Sequence, residues 1–249
     1  MAITGKGVYV YELNRFGGKN PKDLVAKLRA AGFTRVYLKI ADGSNSWPSQ
    51  DDFNAAVAKE AKSAGLTVWG WHYVYGNHPE DEATIAASRT KALGLTGYIY
   101  DAEIQYENKA KHAAATTFMT NLKQKLPAGT ILGFSSFKYP SNHPDLPWKT
   151  FAAPADVLMP QVYWVRANNP AVQTDKAIGE WQALNANALM VPTGAAYEED
   201  GWRADAVDVK AFLLHAKDKC KAADLWYWDD LAKDSGKDYV EVVTAVDWT

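Results

Sequence analysis

The chain has 249 residues, 47% of them hydrophobic and 22% charged, with a formal net charge of -2 at neutral pH. That near balance argues against nucleic acid as the main partner, and no stretch approaches the roughly 18 consecutive apolar residues of a membrane span. The single cysteine, Cys220, excludes an internal disulfide and shows no metal-ligand spacing. It falls in a helix-period run, where an inert packing role is expected.

The opening Met-Ala-Ile-Thr-Gly-Lys has neither the basic start nor the apolar segment of a secretory signal, so cytoplasmic synthesis is expected. Beyond it, short apolar runs alternate eight times with longer stretches of helical period. Predicted strands span 7–11, 35–40, 67–73, 97–101, 130–135, 157–163, 189–193 and 224–228. Predicted helices span 21–31, 50–64, 79–93, 107–125, a short 147–152, 171–185, 206–222 and 237–246. Asn20-Pro21 supplies an N-cap followed by proline at the first helical position. Gly32, Gly65 and Gly94 stand where helices should stop. This βα rhythm, in a chain of this length with no linker or low-complexity segment, predicts a single-domain (β/α)8 barrel over residues 1–249. A doubly wound sheet would carry a glycine-rich phosphate loop after its first strand, and Gly17-Gly18 is not one.

Barrel active sites gather at the C-terminal ends of the strands. Those ends collect Tyr11 and Glu12, Lys39 and Asp42, Trp71, His72 and Tyr73, Asp101 and Glu103, Ser135 and Ser136, Gln161, Tyr163 and Trp164, Tyr197, and Trp228 and Asp229. The most telling run is Gly97-Tyr-Ile-Tyr-Asp-Ala-Glu103. Asp101 and Glu103 are two residues apart on a strand and so share a face. Each acid disfavours ionisation of the other, which leaves one able to act as an acid. Glu103 is the expected proton donor, because its longer side chain reaches further toward the barrel mouth, and Asp101 its acidic partner. Same-face Cα atoms lie roughly 6.5 Å apart, a spacing compatible with retaining, inverting or substrate-assisted glycoside cleavage. In the last of these, the second acid orients the sugar's own 2-acetamido group.

The 10 Trp and 13 Tyr fit the same chemistry, since flat sugar faces stack on aromatic rings. Other uses of these residues are weaker. His72 is either a proton shuttle or a hydrogen-bonded core residue, and Lys39 either a Schiff-base lysine or the partner of a rim carboxylate. Ser135-Ser136 lacks the glycine-flanked elbow of a hydrolase nucleophile. His78, His112, His143 and His215 are dispersed, so no metal and no cofactor is expected.

Several segments resemble the family 25 glycoside hydrolases, the Chalaropsis-type lysozymes that cleave peptidoglycan. Val36-Tyr-Leu-Lys-Ile-Ala-Asp-Gly43 is similar to that family's F-V-x-x-K-A-T-E-G segment, and Val68-Trp-Gly-Trp-His-Tyr73 to its G-x-Y-H-F. Asp101-Ala-Glu103 matches its D-x-E, and Met159-Pro-Gln-Val-Tyr163 resembles its W-x-A-Q-Y. The resemblance implies Glu103 as proton donor, Asp101 as acidic partner, and Gln161 and Tyr163 lining a sugar cleft. The family's first strand, G-I-D-V-S, carries an acid where this chain has Tyr9, and its late D-x-N is matched only by Asp229. Family 18 chitinases also end their fourth strand in D-x-E, with Ile99 here in place of the preceding acid.

The expectation is therefore a monomeric glycoside hydrolase acting on β-linked, N-acetylated polysaccharide such as peptidoglycan or a chitin-like glycan. Its sugar-binding residues are Tyr9, Tyr11, Glu12, Lys39, Asp42, Trp71, His72, Gln161, Tyr163, Trp164, Trp228 and Asp229. No nucleic acid and no membrane is involved. Synthesis without a leader suits a phage endolysin released to the cell wall, or a phage-particle component. The alternative is a non-catalytic carbohydrate-binding or structural barrel module of a phage particle or secretion apparatus, motivated by Tyr9.

Overall fold

Eight parallel strands close on themselves: β1 (Gly5–Val10), β2 (Phe33–Asp42), β3 (Thr67–Val74), β4 (Gly97–Ala102), β5 (Ile131–Phe137), β6 (Val157–Val162), β7 in two pieces (Leu189–Met190 and Thr193–Ala195) and β8 (Ala222–Trp226). Each pairs with the next, and β1 lies between β8 and β2, with Gly7 opposite Asp224 on one side and Arg35 on the other. Around this barrel run α1 (Pro21–Ala30), α2 (Asp51–Ser63), α3 (Pro79–Leu93), α4 (His112–Lys125), α5 (Trp148–Ala152), α6 (Pro170–Gln182), α7 (Ala206–Lys219) and α8 (Lys237–Ala245). The fold is a single-domain (β/α)8 barrel, as the alternation predicts. The computed structural model describes residues 3–12, 20–47 and 51–248; Gly17-Gly18 and the predicted helix start at Gln50 lie outside them.

Local chemistry sets the element ends. The Asn20 side chain accepts from Lys22 N at 3.0 Å, with Pro21 opening α1. Gly94 ends α3 in the left-handed region, at φ 56°, where a side chain would be strained. Most boundaries shift by one to three residues from the expected ones, and three differences have a local cause or bear on the site. Pro192, which has no N–H to give to a ladder, splits β7, although its carbonyl still accepts from Asp224 N at 2.9 Å. The start of the predicted 107–125 helix is instead two 3-10 turns, Ile104–Glu107 and Lys109–Lys111. β8 begins and ends two residues earlier than expected, and α7 stops correspondingly early.

Two cores result. Outward-facing strand residues such as Val8, Val36, Leu38, Tyr98, Tyr100 and Phe134 pack under the helices. Inside the barrel lie Tyr9, Tyr37, Trp69, Trp71, Ile99, Val157 and Met159. Trp69 spans the interior because Gly97 faces it; a Cβ there would fall 2.3 Å from the indole. Nearer the base, Arg35 Nη2 bonds Asp224 Oδ1 at 2.9 Å, and the Tyr37 hydroxyl donates to the same oxygen at 2.9 Å. Polar groups this deep must be satisfied, and Arg35 also donates to Gly5 O and to the Tyr37 oxygen. Outside the barrel, Lys6 ties β1 to the end of α8 through the carbonyls of Val243 and Val246. Burial draws its pKa down to about 8.

Candidate active site

The carboxyl ends of the strands surround a cavity of about 520 Å³, within the range of small-molecule sites. Its position follows from strand alternation, which turns Lys39, Trp71, Tyr73, Asp101, Ser135 and Gln161 inward above the apolar interior. Asp42 breaks the odd-number rule because β2 bulges between Lys39 and Ala41. The bulge pairs Asp42 with inward-facing Tyr73.

At its floor, the Gln161 amide nitrogen donates to Asp101 Oδ1 at 3.0 Å and to Glu103 Oε1 at 2.8 Å. It also lies 3.3 Å from Ser135 Oγ. Sharing one amide donor, the two carboxyls lie close together. Burial and the adjoining Glu103 push Asp101 well above the usual carboxylate range. Burial raises Glu103 too, while the bonds from Gln161 and Asp101 and the nearby His143 pull it back. Two buried carboxyls this close disfavour a double charge, so they titrate as one pair. The neutral amide that bridges them supplies no compensating charge.

Aromatic rings form the rest of the bowl. Trp226, Trp71 and Tyr11 meet there, with centroids 5.3 Å apart between the indoles and 5.8 Å between Tyr11 and Trp71. Tyr163 and Tyr197 meet edge to face at 5.5 Å. Lys39 Nζ stands 3.8 Å from the Trp47 ring centroid, 4.5 Å from Tyr11, and 3.3 Å from Asp42 Oδ1. Burial lowers its pKa, but the Asp42 pairing and the aromatic faces hold a charged ammonium. This is rim pairing rather than the setting of an unpaired amine nucleophile.

Of the residues expected from sequence, the cavity lining brings together Asp101, Glu103, Tyr9, Tyr11, Lys39, Asp42, Trp71, Gln161 and Tyr163. Five lie outside that lining. His72 faces out of the barrel, bonded to the Tyr98 hydroxyl at 2.9 Å and Gly43 O at 2.7 Å. Burial lowers its pKa to about 4, so it is a neutral core imidazole. Trp164 lies past the end of β6 and packs on Phe212. Trp228 opens a short helix, Trp228–Leu231, and meets Phe33 edge-on. Asp229, in the same turn, accepts the Tyr11 and Glu12 amides, and Glu12 meets it through its backbone.

The cavity also holds Tyr75, Gln105, Glu199 and Trp226, which the sequence reading leaves out. Tyr75 and Gln105 continue the two-residue spacing of Trp71-Tyr73 and Asp101-Glu103. Glu199 sits on a hairpin, Glu198–Glu199 with Trp202–Arg203, whose turn is the Asp-Gly pair of a tight hairpin with positive φ at both residues. Trp226 takes the place expected of Trp228 because β8 ends two residues sooner. Among the described residues no group of three or more His, Cys, Asp or Glu has a metal-holding arrangement, and no helix is long and apolar enough to cross a membrane.

No protein-family model matches the sequence, and neither does any curated protein. Solved structures do match in fold. A chitinase from Bacteroides thetaiotaomicron superposes with a TM-score of 0.72 at 10% identity, covering 98% of this chain and 96% of that one. A GH18 chitinase from Cycas revoluta in complex with (GlcNAc)3 gives 0.71 at 9% identity over 98% and 99%. The Bacillus cereus spore cortex-lytic enzyme gives 0.69 at 10% identity over 96% and 73%. These likenesses show the (β/α)8 fold and give no support to the family 25 resemblance of the motifs.

Proposed function

We propose that the chain is a glycoside hydrolase acting on a β-linked, N-acetylated glycan, with Glu103 as the proton donor. The observation that carries this reading is the Asp101–Glu103 pair, bridged by Gln161 at the floor of an aromatic cavity. Similar barrels in chitinases and a cortex-lytic enzyme support the substrate class, which extends from chitin-like chains to peptidoglycan.

The closeness of the two carboxyls supports one mechanism over the others. In inverting and directly retaining enzymes the two carboxyls flank the scissile bond, about 5–9.5 Å apart. Here both accept from the one amide nitrogen of Gln161, which favours a reading in which they act together from one side of the sugar. The nucleophile is then the substrate's acetamido oxygen. As that group enters, its N–H donates to Asp101, whose proton passes to Glu103. Glu103 gives the proton to the glycosidic oxygen while the C1–O bond breaks and the acetamido oxygen bonds C1. Water then attacks C1, returning its proton to Glu103 and releasing the acetamido group. Trp226 and Trp71 offer faces for the sugar ring, and Tyr163 lines it beside Asp101.

Reducing-end release from chito-oligosaccharides and from purified peptidoglycan tests the reading. Wild type releases ends from at least one; Glu103→Gln loses activity by about 10²–10⁴-fold. Undiminished activity in that variant removes Glu103 from the role. The second reading, a glycan-binding barrel without turnover, draws on Tyr9, which occupies the first-strand acid position and is buried against Tyr37 at 4.7 Å. It predicts oligosaccharide binding with no release of ends.

A further inference from the structure

Asp229 lies behind the cavity, not in it, in the first turn of the helix Trp228–Leu231. Its side chain is almost fully buried, at 1% exposure. One oxygen, Oδ2, accepts both Tyr11 N and Glu12 N at 3.0 Å. The other, Oδ1, has no hydrogen-bond partner among the described residues. β1 ends at Val10, so these two amides hold the chain where it leaves the sheet. Tyr11 then forms a cavity wall, stacked on Trp71 at an interplanar angle of 29°, under the Lys39 ammonium, and edge-on to Trp226 at 6.2 Å.

We infer that Asp229 is a positioning residue: it fixes Tyr11, and with it the Lys39–Trp71 side of the cleft, most firmly when its carboxyl is ionised. The inference rests on reading the cavity as a glycan cleft and gives that cleft a pH-dependent grip. Charge-assisted bonds to two amides are stronger than the bonds a neutral carboxyl accepts. Among the described residues, the groups facing Asp229 are the two amides, which favour its charge, and the Glu12 and Asp230 carboxylates, which oppose it. Tyr227, two residues before it, feels its charge, and Lys233 is turned to Asp230 and Glu198. Burial is the largest influence and brings its titration up to about 6.

Two effects of this group then run in opposite directions. A carboxyl whose folded pKa is raised contributes stability that is present below its ordinary value near 4 and is lost as pH rises through about 6. Anchoring of Tyr11 instead strengthens over the same rise. A merely structural carboxylate would not separate the two.

The test is KM for a chito-oligosaccharide from pH 5 to 8, in wild type and Asp229→Asn, with melting temperature alongside. Asparagine keeps an acceptor oxygen and mimics the neutral carboxyl. Wild-type KM should fall about fivefold as pH rises through 6, the size of the difference between charged and neutral hydrogen bonds. In Asp229→Asn KM should stay flat at the wild-type low-pH value, with the shape of the kcat profile kept and no loss of melting temperature at pH 8. A wild-type KM that is flat, or a variant that follows wild type, overturns the inference. Should the variant fail to fold, the wild-type profile decides alone. If wild type binds the oligosaccharide without cleaving it, the hydrolase reading fails, and the same comparison is made on Kd by tryptophan fluorescence. Absence of binding overturns both.

Discussion

The barrel buries carboxyl groups at both ends of its interior and treats them in opposite ways. Near the base, Asp224 is met by the Arg35 guanidinium and the Tyr37 hydroxyl, each 2.9 Å from Oδ1. Burial pushes the Asp224 pKa up, and Arg35 draws it back down. At the mouth, Asp101 and Glu103 meet each other, and the group that bridges them is the neutral amide of Gln161. One pair is a neutralised ion pair. The other is disfavoured as a double charge because burial and the second carboxyl outweigh the pull of Lys39 and His143, neither of which bonds the pair. On the proposed reading, the contrast separates a carboxylate kept for structure from one kept for chemistry, although Asp224 and Asp101 both occupy inward-facing strand positions.

Substitutions at either end should break that contrast. The largest effect belongs to Glu103→Gln, which should abolish nearly all turnover and leave chemical denaturation close to wild type. Next, Arg35→Met leaves Asp224 buried without its cation and should cost about 3–5 kcal/mol of stability. Urea unfolding at pH 8 and pH 5 should find the loss larger at pH 8, because an unpaired Asp224 takes up a proton as pH falls. Equal losses at both pH values would mean that Arg35 acts mainly through packing.

The third effect is smaller and opposite in sign. Asp101 has a folded pKa raised above its ordinary value. The stability tied to its protonation is therefore fully present below about 4 and is lost as pH rises toward the folded pKa. Asp101→Asn should remove that loss, stabilising the fold at pH 7 by about 1–2 kcal/mol while activity collapses. At pH 4 the two proteins should unfold alike. A destabilised Asp101→Asn at pH 7 would show that the charge at the mouth is compensated as it is at the base.

Much of this was legible in the residues. Alternation and helix punctuation identify eight strands in order, and the two-residue spacing of Asp101 and Glu103 already puts them on one face. Alternation does not say which face is inward or where a strand stops. His72 shares its strand with Trp71 and Tyr73 but has the opposite parity, so it joins the outer core. Trp226 and Trp228 have the same parity, and only the early end of β8 decides between them. The Arg35–Asp224 pair, 189 residues apart in the chain, becomes visible only when β8 closes against β1 and β2.

The central claim is that Asp101 and Glu103 work as one proton-sharing unit on a sugar that supplies its own nucleophile. It is tested most directly by comparing hydrolysis of one oligosaccharide with and without the N-acetyl group on the ring that enters the cavity, following the first-formed anomer by NMR. The account predicts cleavage of the acetylated chain alone, with the β-configuration retained. Equal cleavage of the two chains, or an inverted first product, would contradict it.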